Sequence, residues 1–493
     1  MGCSNASRIA EITQTEPTSR RSSIVLNKFS KFYDLKRKYT FISKIGKGAY
    51  GRVDLYADKA SMNIQYAVKT ISKYQLSLRS QEFIKNEVKI LSSLDHPNIV
   101  KYLETFEDEN FLQVVMEYVP GHNIFKELIK GSKSLSNEVH KHELTELKIC
   151  EITYTLLKTL SFLHSRGIIH RDIKPENILW GDINDCSTLK IIDFGLSLNF
   201  NEDKGVQKAV GTPYYMAPEA IRGVFFPESD LWSIGVIMFI MVTGRHPFKG
   251  KSRKEIFKKI LRGSYDKELL NKKSVSDNLK NLIENILIID PTKRITVEST
   301  LKHKWFDIIY KRRKSLTYNV ISSDILDSIQ NFQNFNLFQK EILYYFAKIS
   351  KDQDIKELKE AFMLIDTDDS GEIEYNQIPK IFKEHNIKLP DKQLKQIFNS
   401  LDFHSKGKVN YCEFIAATLP SLNYFDEEKL LSAFYYFDTN DCGYITLDSF
   451  VESLQQNNIQ IKKEKIKMFF GEKGEDVKIN FEDFKRMVYS NEN

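Results

Sequence analysis

The chain has 493 residues, 41% of them hydrophobic and 28% charged, with a formal net charge of +6 distributed along its length. That length predicts several domains of ordinary globular composition, and the dispersed charge provides no concentrated basic face for nucleic acid. The five cysteines (Cys3, Cys150, Cys186, Cys412, Cys442) are scattered without metal-ligand spacing, which predicts a reducing compartment and no disulfides. The longest apolar run, Ile234 to Val242, is far short of the roughly 20 residues that span a membrane. The N-terminus also lacks the apolar centre of a secretory signal, so a cytoplasmic location is expected.

Met1-Gly2-Cys3-Ser4 resembles an N-myristoylation signal, with Gly2 as acceptor and Cys3 available for a second acyl chain. The hydroxyl that the signal prefers comes one residue late, at Ser7 after Ala6. One chain holds a membrane only marginally, so Cys3 or the basic residues Arg8, Arg20 and Arg21 would have to reinforce it. The expectation is an acylated arm over residues 1–38 that associates with membranes, the alternative being a plain tail. Its Ser, Thr and charge content reads as disordered.

From Tyr39 the pattern becomes strand-like. Gly46-Lys47-Gly48-Ala49-Tyr50-Gly51 lies between Ile42–Ile45 and Val53–Tyr56, where glycines let a hairpin close over phosphates. A second strand follows instead of the helix that a dinucleotide-binding fingerprint would open. The next strand ends in Tyr66-Ala67-Val68-Lys69, and helical spacing from Glu82 to Leu94 carries Glu87. A lysine held by a helical carboxylate can contact nucleotide phosphates. Leu112 to Met116 leads into Glu117-Tyr118-Val119, read as the hinge that bonds adenine. Ile45, Gly46, Gly48, Gly51, Val53, Ala67, Lys69, Met116, Glu117 and Tyr118 are therefore the candidate nucleotide-binding residues.

After a helix predicted from Leu144 to Ser165 comes His170-Arg171-Asp172-Ile173-Lys174-Pro175-Glu176-Asn177. This octet suits phosphoryl transfer: a carboxylate to orient a hydroxyl, a lysine to neutralise the moving group, an amide oxygen to bind a metal. Asp193-Phe194-Gly195 follows a short apolar strand, which makes Asp193 and Asn177 the candidate magnesium ligands. The catalytic set is then Lys69, Glu87, Asp172, Lys174, Asn177 and Asp193. Together with Ala217-Pro218-Glu219, these motifs stand in the order of the protein-kinase signature, and residues 39–306 resemble a eukaryotic protein kinase using ATP and Mg2+. Lys174 and Gly211-Thr212-Pro213-Tyr214-Tyr215 are similar to the serine/threonine branch. The resemblance implies that Asp230 braces the catalytic loop and that Arg294 pairs with Glu219.

Beyond Phe306, a junction over 307–350 carries Ile325, Ile329, Phe332, Phe335, Phe338 and Ile342 at helical spacing. The stripe fits a core helix of the next domain, and equally an autoinhibitory helix that docks in a groove. Residues 351–493 repeat a helix-loop-helix at roughly 36-residue spacing. The first loop offers Asp366, Asp368, Ser370, Glu372 and Glu374, with Gly371 at the turn, in an EF-hand pattern; position 12 is Gln377 instead of a bidentate Glu. The second loop, Asp402 to Glu413, places His404 and Lys406 where oxygens are needed. The third has Cys442 and Ser449 at ligand positions, and the fourth has Val477 where glycine is expected. Ile373, Val409, Ile445 and Ile479 retain the short pairing strand of each loop.

A two-lobed α+β kinase fold followed by an all-α, calmodulin-like domain of four degenerate EF-hands resembles the calcium-dependent protein kinases. The resemblance implies Ca2+ as regulator, binding best at the first loop, with the chain's own junction helix as intramolecular partner and protein hydroxyls as substrates. A monomer is expected. Two other readings stay open: the same kinase with structural EF-hands and little response to calcium, or a pseudokinase scaffold, which the intact catalytic set opposes.

Between Ser197 and Thr212 the activation segment has no Ser, Thr or Tyr, so its usual phosphosite lacks an acceptor and Arg171 must find another partner, for which Glu202 or Asp203 stand near. Phosphatase-treated protein is therefore expected to keep most of its rate in a peptide-phosphorylation assay; a loss of more than about tenfold would refute this.

Overall fold

The computed structural model describes residues 34–489 except 48–50, 75–76, 124–143, 183, 201–209, 272–274, 317–320, 369, 385–388, 420–425 and most of 458–476. Gly2, Cys3, Gly48, Glu202 and Asp203 lie outside the described residues.

Five antiparallel strands form the first lobe: β1 (Tyr39–Lys47), β2 (Gly51–Asp58), β3 (Gln65–Ser72), β4 (Tyr102–Glu107) and β5 (Phe111–Glu117), in the order β1-β2-β3-β5-β4. Register sets the site, because Val53 pairs with Lys69 and Ala67 with Met116. Helix α1 (Leu78–Ser93) packs beside the sheet. It starts four residues before the apolar spacing does, because the Ser77 hydroxyl accepts the N–H of Ser80 and caps it.

The second lobe is helical. Its centre is α2 (Glu146–Ser165), capped by Thr145, and α3 (Pro227–Thr243), whose residues from Ser229 to Val242 are all buried. The longest apolar run of the sequence is thus core, and among the described residues no helix is long and apolar enough to cross a membrane. Two small antiparallel strand pairs bracket the catalytic octet: β6 (Ile168–Ile169) pairs with β9 (Leu198–Asn199), and β7 (Ile178–Asp182) with β8 (Asp185–Ile191).

The junction is not one helix. It runs as α4 (Asp307–Leu316), α5 (Ser323–Asn331), a 3-10 turn (Phe332–Asn334) and α6 (Leu337–Ile349). The break has a local cause: Asn336 accepts the N–H of Gln339 at 2.9 Å while the Gln339 side chain accepts that of Asn336 at 3.0 Å, a capping box that restarts the helix. Ile325, Ile329, Phe332, Phe338 and Ile342 are buried in the core of the C-terminal half, with Phe335 packed at its edge. The stripe is therefore core in this structure. That core also takes in Tyr39, Tyr66 and Phe106 of the first lobe, and Ser432 links the two halves, donating to Asp58 and bonding Tyr345, both at 2.7 Å.

The C-terminal half contains α7 (Lys356–Ile365), α8 (Gln377–Glu384), α9 (Asp391–Leu401), α10 (Tyr411–Thr418), α11 (Glu427–Phe437), α12 (Leu447–Gln456) and α13 (Phe481–Tyr489). Strand β10 (Glu372–Ile373) pairs with β11 (Val409–Asn410), and Ile445 bridges to Ile479. The loops are thus joined in two pairs through the four residues expected to join them.

The pairing of Glu219 with Arg294 forms at 2.7 and 3.0 Å, with the Arg294 side chain wholly buried. Glu219→Ala would strand that cation, at a cost of about 3–5 kcal/mol. Urea unfolding should show the loss, and Glu219→Ala combined with Arg294→Met should recover much of it.

Candidate active site

A cavity of 580 Å³ lies between the two lobes. Ile45, Gly46, Val53, Ala67, Lys69, Met116, Glu117 and Tyr118 line it from the first lobe and the segment that leaves it, and Asp172, Lys174, Asn177 and Asp193 from the second lobe. Among the described residues, Gly51 does not line these walls. Gly48 falls outside the described residues, and Gly51 lies in β2, where a Cβ would run into the Thr70 carbonyl; its glycine serves strand packing. Val100, Leu179 and Ile192 complete the apolar walls. No motif marks them, although Ile192 precedes Asp193 and Leu179 lies two residues after Asn177.

Lys69, on β3, reaches Glu87 of α1 at 2.5 Å and Asp193 at 3.2 Å. Burial works against the ammonium, but the two carboxylates outweigh it and its pKa is raised. Asp193 is likewise held below the usual carboxylate range, because Lys69 overcomes the effect of burial. Both Asp193 (φ 63°) and Arg171 (φ 66°) adopt left-handed backbone, a conformation costly for such residues and one that clusters at functional sites. Phe194 is buried against His170, ring centres 5.0 Å apart.

The Asp172 carboxylate accepts from Lys174 Nζ at 2.5 Å, from the Thr212 amide at 3.0 Å and from the Thr212 hydroxyl at 2.8 Å. Lys174 also donates to Thr212 at 3.0 Å, and Asn177 donates to the Asp172 carbonyl at 3.0 Å. Thr212 is thus a direct partner of the catalytic-loop carboxylate, a role its motif alone did not reveal. Behind the loop, Asp230 accepts the backbone N–H groups of His170 and Arg171, each at 2.9 Å, and lies 3.0 Å from His164 Nε2. Burial opposes its charge, yet these partners keep its pKa below the ordinary value. Arg171 donates to the Leu196 carbonyl and stacks over Phe225 at 5.1 Å.

One link was invisible in the sequence. The Glu117 carboxylate at the hinge pairs with Lys190 at 3.0 Å, Lys190 with Asp352 at 3.2 Å, and Asp352 with Lys359 at 2.9 Å. The chain of charges runs from the hinge into the first helix of the C-terminal half, and the lysines are about 2% exposed.

The protein kinase domain family matches residues 39–306, and the EF-hand domain pair matches residues 355–419. Calcium-dependent protein kinase 3 of Plasmodium berghei (strain Anka) is 34% identical over 468 residues, which cover 93% of this chain and 80% of that protein. Calcium-dependent protein kinase 2 of Zea mays is 32% identical over 476 residues, covering 96% and 89% respectively. Calcium-dependent protein kinase 9 of Arabidopsis thaliana is 31% identical over 479 residues, covering 96% and 85%. The chain belongs to the calcium-dependent protein kinase family. It is a protein serine/threonine kinase with C-terminal EF-hands.

In this kinase the described residues of the first and third calcium loops bond within their own loops. Asp366, the first residue of the first loop, accepts the N–H groups of Ser370 at 2.9 Å and Gly371 at 2.8 Å. Gln377 turns its amide N–H onto Asp368 at 2.9 Å, a donor where a calcium-loaded loop presents a carboxylate. Asp438 of the third loop accepts from Cys442 and Gly443 in the same way, at 3.1 and 2.8 Å. Among the described residues no three His, Cys, Asp or Glu side chains are gathered as a metal cluster. The first loop also touches the kinase: Glu372 pairs with Arg166 at 2.5 Å, and a Cβ on Gly371 would meet His96 and Phe162, each at 2.6 Å.

Asp230→Ala would leave two buried backbone N–H groups unsatisfied, at about 1–3 kcal/mol each. Steady-state kinetics should show kcat falling by about 10²-fold through misplacement of the loop, with the KM for ATP little changed; Asp230→Asn, which keeps an acceptor oxygen, should lose less.

Proposed function

We propose that this kinase transfers the γ-phosphate of ATP with Asp172 receiving the substrate hydroxyl, and that calcium reaches the catalytic lobes through the first EF-hand loop. In the cleft, Thr212 and Lys174 fix the Asp172 carboxylate from both sides, which orients it to hold a hydroxyl and accept its proton. Lys69, kept charged by Glu87 and Asp193, is placed for the nucleotide phosphates, and Lys174 for the group in transit. Asn177 spends its amide N–H on the Asp172 carbonyl, which leaves its oxygen as an acceptor. That oxygen and the Asp193 carboxylate form an oxygen donor set suited to Mg2+. Bound magnesium supplies charge neutralisation across the phosphates.

The observation that carries the regulatory part is the contact of the first loop with the kinase, Glu372 on Arg166. The carboxylates of Asp366 and Asp368, the hydroxyl of Ser370 and the carbonyl of Glu372 fit a calcium ion as oxygen donors, with Glu374 at position nine and Gln377 short of one ligand oxygen. Bound calcium supplies the charge that draws such oxygens inward. The residues between them, Gly371 and Glu372, sit directly on Phe162 and Arg166, so a change in the loop reaches α2. In this arrangement the cleft walls come from residues 45–212, and the junction segments α5 and α6 pack into the C-terminal core.

Sequence supports the remaining parts of the proposal: protein hydroxyls as substrates, a cytoplasmic monomer, and membrane association through acyl groups on Gly2 and Cys3. The Gln377 amide at position twelve, bonded to Asp368, favours a second reading, a kinase that calcium alters little. Phosphate transfer to a generic peptide, with calcium and with chelator, separates the two. A calcium-raised rate that Asp366→Asn with Asp368→Asn abolishes is expected, with Asp193→Ala as the inactive control. Equal rates in both conditions would favour the second reading. Asp172→Asn should lower kcat by about 10²–10⁴-fold.

A further inference from the structure

The second EF-hand loop has the frame of a calcium loop without its chemistry. Asp402 accepts the N–H groups of Lys406 at 2.7 Å and Gly407 at 2.8 Å, as Asp366 does in the first loop. Gly407 has φ 79°, and Val409 pairs with Ile373. The centre of the loop is occupied by protein. His404, at the third position, has a side chain 1% exposed; its Nδ1 lies 2.7 Å from Glu413 Oε1 and its Nε2 3.1 Å from Glu341 Oε1, on carboxylates buried as deeply.

Ionised carboxylate oxygens only accept. Nε2 is hydrogen-bonded to Glu341 and Nδ1 lies within charge-pair distance of Glu413; burial opposes the charge, but the two carboxylates outweigh it and raise the imidazole pKa to about 9, which favours the cation. Glu413 is committed on its other side too, because Oε2 accepts the N–H of Asn410 at 2.8 Å. The bidentate grip that position twelve gives calcium is thus already in use. The rings of Tyr344 and Phe403, 5.0 and 4.2 Å away, close over the imidazole. Lys406 adds a positive charge at the fifth position, where a divalent ion would need an oxygen.

We infer that the second loop carries its own cation, His404, which takes the place of calcium between Glu413 and the junction residue Glu341 and fastens α6 to the loop whether or not calcium is present. A tethered cation cannot leave. The second loop is then a fixed partner for the first, with which it shares the β10–β11 ladder, and movement of the first loop is made against it. The inference rests on the regulatory reading above only for this last consequence; the ion chemistry stands without it.

The test uses the full chain in chelator and in calcium. His404→Asn leaves two buried carboxylates facing each other without a cation, so its melting temperature in chelator is expected to fall by several degrees. Adding Glu341→Gln to His404→Asn is expected to recover part of the fall. An unchanged melting temperature for His404→Asn, or strictly additive effects of the two substitutions, would overturn the inference. Equilibrium dialysis with radiolabelled calcium gives the second readout. Asp402→Asn, which keeps an acceptor for the loop frame, is expected to bind as many calcium ions as the wild type, and the loss of one ion would count against His404 as the resident cation. Neither readout involves phosphate transfer, so a calcium-insensitive rate would refute the regulatory reading and leave this one standing.

Discussion

Carboxylates withdrawn from water organise this molecule, because each must meet a cation or a set of N–H donors or else lose its charge. Asp193 meets Lys69, Glu219 meets Arg294, and Asp230 meets two backbone amides and His164. The first of these, with Glu87 on the same lysine, ties α1 to the Asp193 corner of the cleft. The other two hold the catalytic loop and the end of the activation segment against α3. Removing any one partner would leave a bare charge in a packed interior, so the three contacts make the site rigid where phosphoryl transfer needs fixed geometry.

The same constraint joins the kinase to its C-terminal half. Glu117 lies at the hinge, and its carboxylate pairs with Lys190 and, through it, is linked to Asp352 and Lys359. Glu372 extends from the first EF-hand loop to Arg166. Between these polar links, Tyr39, Tyr66 and Phe106 share an apolar core with α6 and α11. The hinge, α2 and the first calcium loop are consequently parts of one packed unit, in which a displacement of the loop has neighbours on both sides to push against.

Motifs of local origin were legible in the sequence. The order of the glycine loop, Lys69, Glu87, the octet from His170 to Asn177, and Asp193 pointed to one cleft, and Lys69, Glu87, Asp172, Lys174, Asn177 and Asp193 line one cavity. Gly51 was expected to help bind nucleotide; in the structure it lies in β2, where close approach of the adjacent strand at Thr70 leaves no room for a Cβ, a constraint the signature does not reveal. The junction stripe has helical spacing throughout, and the Asn336 capping box divides it into two helices. Thr212 gave no sign that it would bond Asp172, from which it lies 40 positions away.

Read alone, the sequence determined that this is a kinase joined to paired EF-hands, and that every calcium loop departs from the full ligand set, because those features depend on residue type at fixed spacing. Only the tertiary structure decided which ion each carboxylate meets. Glu341 and His404 are 63 positions apart, and Glu117 and Asp352 belong to different halves of the chain. Spacing carries no information about such pairs; they form because the packing that buries the apolar core brings these charges inside together, where each must be matched.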